Sequence, residues 1–359
     1  MVKSILASVL FAATALAASR MTAPSGAIVV AKSGGDYDTV SISIVDRMLQ
    51  IAAVDALSTT STETQTIFIE EGSYDEQVYI PALSGKLIVY GQTEDTTTYT
   101  SNLVNITHAI ALADVDNDDE TATLRNYAEG SAIYNLNIAN TCGQACHQAL
   151  AVSAYASEQG YYACQFTGYQ DTLLAETGYQ VYAGTYIEGA VYVSHHTSKR
   201  GNPANIITSD FIFGQHARAW FHECDIRVLE GPSSASITAN GRSSESDDSY
   251  YVIHKSTVAA ADGNDVSSGT YYLGRPWSQY ARVCFQKTSM TDVINHLGWT
   301  EWSTSTPNTE NVTFVEYGNT GTGAKGPRAN FSSELTEPIT ISWLLGSDWE
   351  DWVDTSYIN

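Results

Sequence analysis

Basic residues are scarce in this chain of 359: Lys and Arg together number 17 against 40 Asp and Glu, a formal charge of -23. Such a surface repels a nucleic-acid backbone and an anionic membrane, so neither is expected as a partner. A polyanionic ligand meets the same field, and the charge serves either solubility in an acidic medium or a choice among substrates. Helix formers are sparse while Ser, Thr, Tyr, Val and Ile abound, which predicts an all-β chain. Beyond the N-terminus no apolar run is long enough to span a bilayer. Cysteine is used five times, at Cys142, Cys146, Cys164, Cys224 and Cys284, and in a secreted chain an odd count leaves a thiol unpaired or paired between chains. Cys142 and Cys146 have neither zinc nor redox spacing, whereas Cys164 and Cys224 fit packed core positions. No Gly-x-Ser-x-Gly occurs, which removes local support for a serine esterase.

What is present begins with a targeting segment. Lys3, the apolar stretch 5–16 and Ala15-Leu16-Ala17 have the order of a secretory signal, so residues 1–17 are expected to be removed and the protein secreted. Asn105-Ile106-Thr107, Asn311-Val312-Thr313 and Asn330-Phe331-Ser332 are then glycan acceptors. No linker divides the rest, and residues 18–359 are expected to form one domain and a monomer. The acidic run 114–120 has the alternate acids of a calcium loop but Asp119 where Gly is needed and Arg125 where Glu is needed, and it reads as a solvated surface loop. Adjacent residues such as His195 and His196 point to opposite sides of a strand. No metal or cofactor is expected.

A repeat organises the middle of the chain. The pattern apolar, two residues, small, one residue, apolar recurs at Ile133–Ile138 (with Leu136 in the small slot), Tyr161–Phe166, Val181–Tyr186, Phe221–Ile226, Ile253–Val258 and Phe285–Met290. Short strands at such a period suit a solenoid in which each coil covers the apolar face of the last, a single right-handed parallel β-helix. Residues 40–57 have helical apolar spacing and would cap its N-terminal end. Ile67-Phe68-Ile69 and 87–90 read as buried strands with a turn at 71–74. Trp343, Trp349 and Trp352, interleaved with acids, suggest a C-terminal cover.

Two aspartates stand among apolar and aromatic neighbours, in Gly168-Tyr169-Gln170-Asp171-Thr172-Leu173 and in Asp210-Phe211-Ile212-Phe213-Gly214. Buried there, a carboxyl must be paired, hydrogen-bonded or shifted in pKa, which is how acid and nucleophile roles are divided. These two motifs, with Leu273-Gly274-Arg275-Pro276-Trp277, resemble the signatures of pectin methylesterases. Gly72-Ser73-Tyr74-Asp75-Glu76, Gln148-Ala149-Leu150 and Gly298-Trp299-Thr300-Glu301-Trp302 match in order, so the likeness runs from Gly26 to Trp302 and points to a fungal member. It implies a parallel β-helix acting on methyl-esterified pectin. It further implies Asp210 as nucleophile, Asp171 as acid and base, Gln170 and Gln148 as oxyanion donors, Arg275 as the partner of Asp210, and Trp277, Phe213 and Trp299 as faces for sugar rings. The alternatives are a pectate or pectin lyase, which shares fold and substrate, and a non-catalytic pectin-binding wall protein.

One departure from the family pattern is large. The strand 186–191 should lead directly into Asp210, yet residues 192–209 intervene. They contain Lys199 and Arg200 and no acid, and the 40 residues between Val181 and Phe221 become 22 without them. The genetic code allows a GTATGT donor from the third base of Val191, a GCTAAC branch point at Ala204-Asn205 and an acceptor AG opening Ser209. The segment therefore reads as a translated, unspliced intron, with a surface loop between coils as the alternative. A smaller departure is Asn240, where relatives carry Gln.

Overall fold

The computed structural model describes residues 18–41, 52–190, 210–231 and 234–358. Among these the strands pair in parallel into sheets of eleven, seven and eight strands, and the chain visits the sheets in rotation. Short connections between parallel strands require a coiling path, so the architecture is the expected parallel β-helix. Strands Gln65–Ile69 and Leu87–Gly91 fall where the apolar runs predict them. Gly72–Asp75, read as part of a turn, is instead a strand paired with Val104–His108. The corner occupies only Glu70 and Glu71.

Register explains the repeat. Ile133, Tyr161, Tyr182, Phe221, Ile253 and Phe285 are successive rungs of one interior column. Ile138, Phe166, Ile187, Ile226, Val258 and Met290 form a second. All are buried, and the rings of Tyr161, Tyr182 and Phe221 stack at 5.1 and 4.7 Å. The third rung is thus Tyr182–Ile187 rather than Val181–Tyr186, a one-residue correction of the sequence frame. Val181 misled because it is buried too, on the opposite side of its strand.

Between the two columns each coil turns through a residue of positive φ: Asn135, Ala163, Gly184, Glu223, Lys255 and Lys287. From Ala163 onward the next residue is small and donates to main-chain carbonyls at that corner, as do Cys164, Thr185, Cys224, Ser256 and Thr288. Cys164 and Cys224 are therefore core residues in which a thiol replaces a hydroxyl, and burial pushes each up to about 12. Cys142 and Cys146 form a disulfide, and Cys284 is a buried free thiol.

The C-terminal cover is present. Helix Ile341–Leu345 and the single turns Trp349–Asp351 and Thr355–Tyr357 lie on the outer face of the eleven-stranded sheet. Leu344, Leu345 and Val353 pack there with Tyr134, Tyr162, Val181, Trp220, Tyr250 and Val252. Hydrogen bonds tie Ile339 to Gln286, the Trp343 carbonyl to Arg218, the Asp351 carbonyl to Lys86, and Asp354 to Tyr134 and Tyr162. Of the expected N-terminal helix, residues 42–51 lie outside the described residues, and what is described is a 3-10 turn at Val54–Ala56. The signal segment 1–17, the insert 192–209 and His195-His196 also lie outside them. No helix among the described residues is long and apolar enough to cross a membrane.

Candidate active site

The site is built on the outer face of the seven-stranded sheet and the corner leading into it. Gln148 and Gln170 are bridged in parallel on neighbouring coils, and the Asp171 amide donates to the Asp210 carbonyl at 3.1 Å on the next. Three consecutive coils thus bring Gln148, Gln170, Asp171 and Asp210 to one corner. Asp171 adopts φ 61°, a left-handed conformation that Asp tolerates better than most residues. Thr172 behind it is fully buried, its hydroxyl donating to the Glu188 carbonyl.

Arg275 comes from two coils beyond Asp210. Phe213, Ala239 and Arg275 are in register, and the small Ala239 leaves room for the long side chain to reach back. Its Nε and Nη2 donate to Oδ2 of Asp210 at 3.0 and 2.9 Å. Both faces of this pair are removed from water, with Asp210 4%, Arg275 6% and Asp171 7% exposed. Burial pushes both carboxyls up. On Asp171 the charge of Asp210 adds to burial and drives it well above the usual range, whereas on Asp210 the Arg275 charge and hydrogen bonds oppose the rise. Burial and the Asp210 charge thus favour the protonated form of Asp171, while Arg275 favours the ionised form of Asp210.

Aromatic and aliphatic groups surround the pair. Leu150, Leu174, Phe213 and Ala239 form an apolar patch separate from the main core, against which Tyr155, Trp277 and Trp302 pack. Phe213 is itself buried and lies 6.2 Å from Trp277, ring to ring. Trp277 rests over Gly241, where a Cβ would come within 2.6 Å of the indole. Trp299 does not join them. It is 1% exposed, stacks on Phe314 at 4.4 Å and donates to Glu316, so it is core and offers no face to a ligand. Trp302, which the sequence did not single out, lies instead under the Arg275 guanidinium at 3.8 Å. Both tryptophans stand in one irregular motif where no periodicity marks which turns inward.

The acidic run is not a wholly solvated loop either. Asp119 is buried and accepts from Arg125, Tyr127 and Ser153, anchoring a 3-10 turn at Asp118–Thr121 beside the site. Asn240 is structural: it donates to Ser249 and accepts from the Arg282 amide.

The sequence matches the Pectinesterase family over residues 27–333. It is 92% identical to a pectinesterase of Aspergillus niger over the whole of both chains, and 67% identical to one of Aspergillus aculeatus over 99% of this chain and all of the other. The backbone superposes on a crystal structure of a pectin methylesterase from Aspergillus niger with a TM-score of 0.80 at 37% identity, covering 95% of this chain and all of that one. A lyase or a non-catalytic binding protein is not favoured by these matches. With a buried, unequally paired carboxyl couple at its centre, the chain belongs to the pectinesterase family, hydrolases that remove the methyl esters of pectin.

Proposed function

We propose that this esterase works through an acyl-enzyme formed on Asp210. The ionised Asp210 attacks the carbonyl carbon of a galacturonate methyl ester, giving a tetrahedral oxyanion. The amides of Gln148 and Gln170 donate to that oxygen, worth ~3 kcal/mol per donor in comparable sites. As the C–O bond to methoxide breaks, Asp171 gives up its proton and methanol leaves, with an anhydride joining Asp210 to the substrate. Asp171, now ionised, takes a proton from water. The resulting hydroxide opens the anhydride, freeing the galacturonate and restoring both carboxyls. Arg275 keeps Asp210 ionised and aimed before the attack and receives its charge again when the anhydride opens. Trp277 and Trp302, with Phe213 beneath them, provide apolar faces for sugar rings.

The observation that carries this reading is that two buried carboxyls meet on adjacent coils and Arg275 hydrogen-bonds to Asp210. Secretion rests on the signal-like segment 1–17, and among the acceptor asparagines Asn311 and Asn330 are exposed whereas Asn105 accepts from Asn137 in a side-chain ladder. The protein is taken to act as a monomer on methyl-esterified homogalacturonan.

Asp210→Asn and Asp171→Asn test the mechanism by methanol release. Each should lower kcat by about three orders of magnitude or more with the unfolding temperature preserved. The wild-type pH profile should be bell-shaped, rising as Asp210 loses its proton and falling as Asp171 does, because only the form with one proton on Asp171 is competent. Near-normal turnover in either folded variant would remove the assignment.

A further inference from the structure

Asp118 and Asp119 are neighbours in the turn Asp118–Thr121 with opposite surroundings. Asp119 is saturated, by Arg125 and Tyr127 on one oxygen and Ser153 on the other. The rest of the turn is fixed as firmly. The Thr121 hydroxyl donates to the Asp118 carbonyl and accepts from the Leu150 amide, and Gln77 donates to the carbonyls of Glu120 and Ala122. Ala122, at its end, packs into the patch that holds Leu174 and Phe213. The turn is therefore clamped to the wall of the site, and what it presents is Asp118.

The Asp118 carboxyl has an oxygen out of contact with water that accepts no hydrogen bond, and among the described residues no cation forms an ion pair with it. A carboxylate in that condition is costly, and the turn holds it there regardless. The turn's anchorage to Leu150 and to the Leu174–Phe213 patch puts it at the wall of the site, and its charge raises both Asp171 and Asp210. Arg275 is paired with Asp210, and Arg125 with Asp119.

We propose that Asp118 is a specificity-determining residue of the esterase, a fixed and unneutralised carboxylate that admits neutral methyl-esterified units beside the reacting ester and rejects de-esterified ones. A neutral ester or hydroxyl beside it loses little, whereas a galacturonate carboxylate brought into the same low-dielectric space meets an unscreened like charge. This rests on the Asp171–Asp210 pair being the reaction centre.

The experiment compares wild type with Asp118→Asn and with Asp116→Asn, which removes an equal charge from an exposed position two residues away. Methanol release is measured on highly esterified and on low-ester pectin near pH 6, across a salt series. Asp118→Asn should raise kcat/KM on low-ester pectin about three- to tenfold relative to highly esterified pectin. It should also flatten the salt dependence on the low-ester substrate. Asp116→Asn should leave both unchanged. The proposal is overturned if folded Asp118→Asn keeps the wild-type preference, if it slows both substrates alike, or if Asp116→Asn shifts the preference equally, since the general field of the protein would then be responsible. Should Asp118→Asn fold poorly, Asp118→Ser decides by the same criteria. Activity of Asp210→Asn, run alongside, separates failure of the mechanism from failure of this selectivity.

Discussion

Asp171 and Asp210 carry the same side chain, are buried to a similar degree and lie on adjacent coils, so their chemistry is divided by what each touches. The same holds for two tryptophans three residues apart. Trp299 is enclosed by Phe285 and Phe314 with its indole nitrogen on Glu316, while Trp302 supports Arg275. Trp299→Ala should therefore cost about 3–5 kcal/mol of stability, as a large core ring does, and change kcat/KM little in the protein that remains folded. Trp302→Ala should keep most of the stability and lower kcat/KM about ten- to a hundredfold through loss of the cation-π support and of a sugar face. Thermal unfolding and methanol release on both variants check this, and equal unfolding temperatures with equal activity would reverse the two assignments. The polar members of the site were legible in the sequence because an Asp, Gln or Arg amid apolar neighbours demands an explanation. An aromatic ring demands none, since it is equally at home inside the coil or facing a ligand, and only the bridge of Trp299 to Gly274 settles which way it turns.

The strand is the next unit, and its legibility fails where both of its faces are covered. Both sides are buried along the whole column, and at Val181-Tyr182 both residues are apolar while Gly184 stands one place before the small Thr185, so a second frame fits and the reading slips by a residue. The same double burial produces a stack with a pH signature. His222, His254 and Gln286 are rungs of one ladder on the covered face. Burial, with Lys255 adding to it, lowers His222 to about 4; burial, then His222, Lys255 and Lys287, does the same for His254. Between the usual imidazole value and about 4 the unfolded chain takes up protons that the folded ladder refuses, so these residues add stability that is present above the window and drains away as pH falls through it. Replacing both histidines with Gln, the residue already on the third rung, should flatten the dependence of unfolding temperature on pH between about 6.5 and 4. A double variant that retains the wild-type slope would show that other groups control it.

At the scale of the whole molecule the coil is the measure of length. Tyr161 and Tyr182 are adjacent rungs 21 residues apart; Tyr182 and Phe221 are adjacent rungs 39 apart, and 39 less the 18 residues of 192–209 is again 21. The chain without that segment should therefore be the more active form, by a hundredfold or so if its presence shifts Asp210 by about 1 Å. Sequencing the mature message and expressing both versions provides the check, and equal activity with the segment retained would argue for a tolerated loop. The coil number and stacking order could be read from the sequence because each rung repeats its neighbour; the cover could be read only as aromatic, since its contacts jump from the end of the chain to its beginning. Those jumps bear on how the protein is made. Leu335 is hydrogen-bonded to Glu316 in a late coil, whereas Asp351 receives Lys86 and Tyr357 donates to Thr96 in early ones. The early coils therefore wait for residues far later in the chain, with Tyr162 left without its cover until those residues arrive. The arrival of the cover, rather than the appearance of each coil, is then the event that closes the fold.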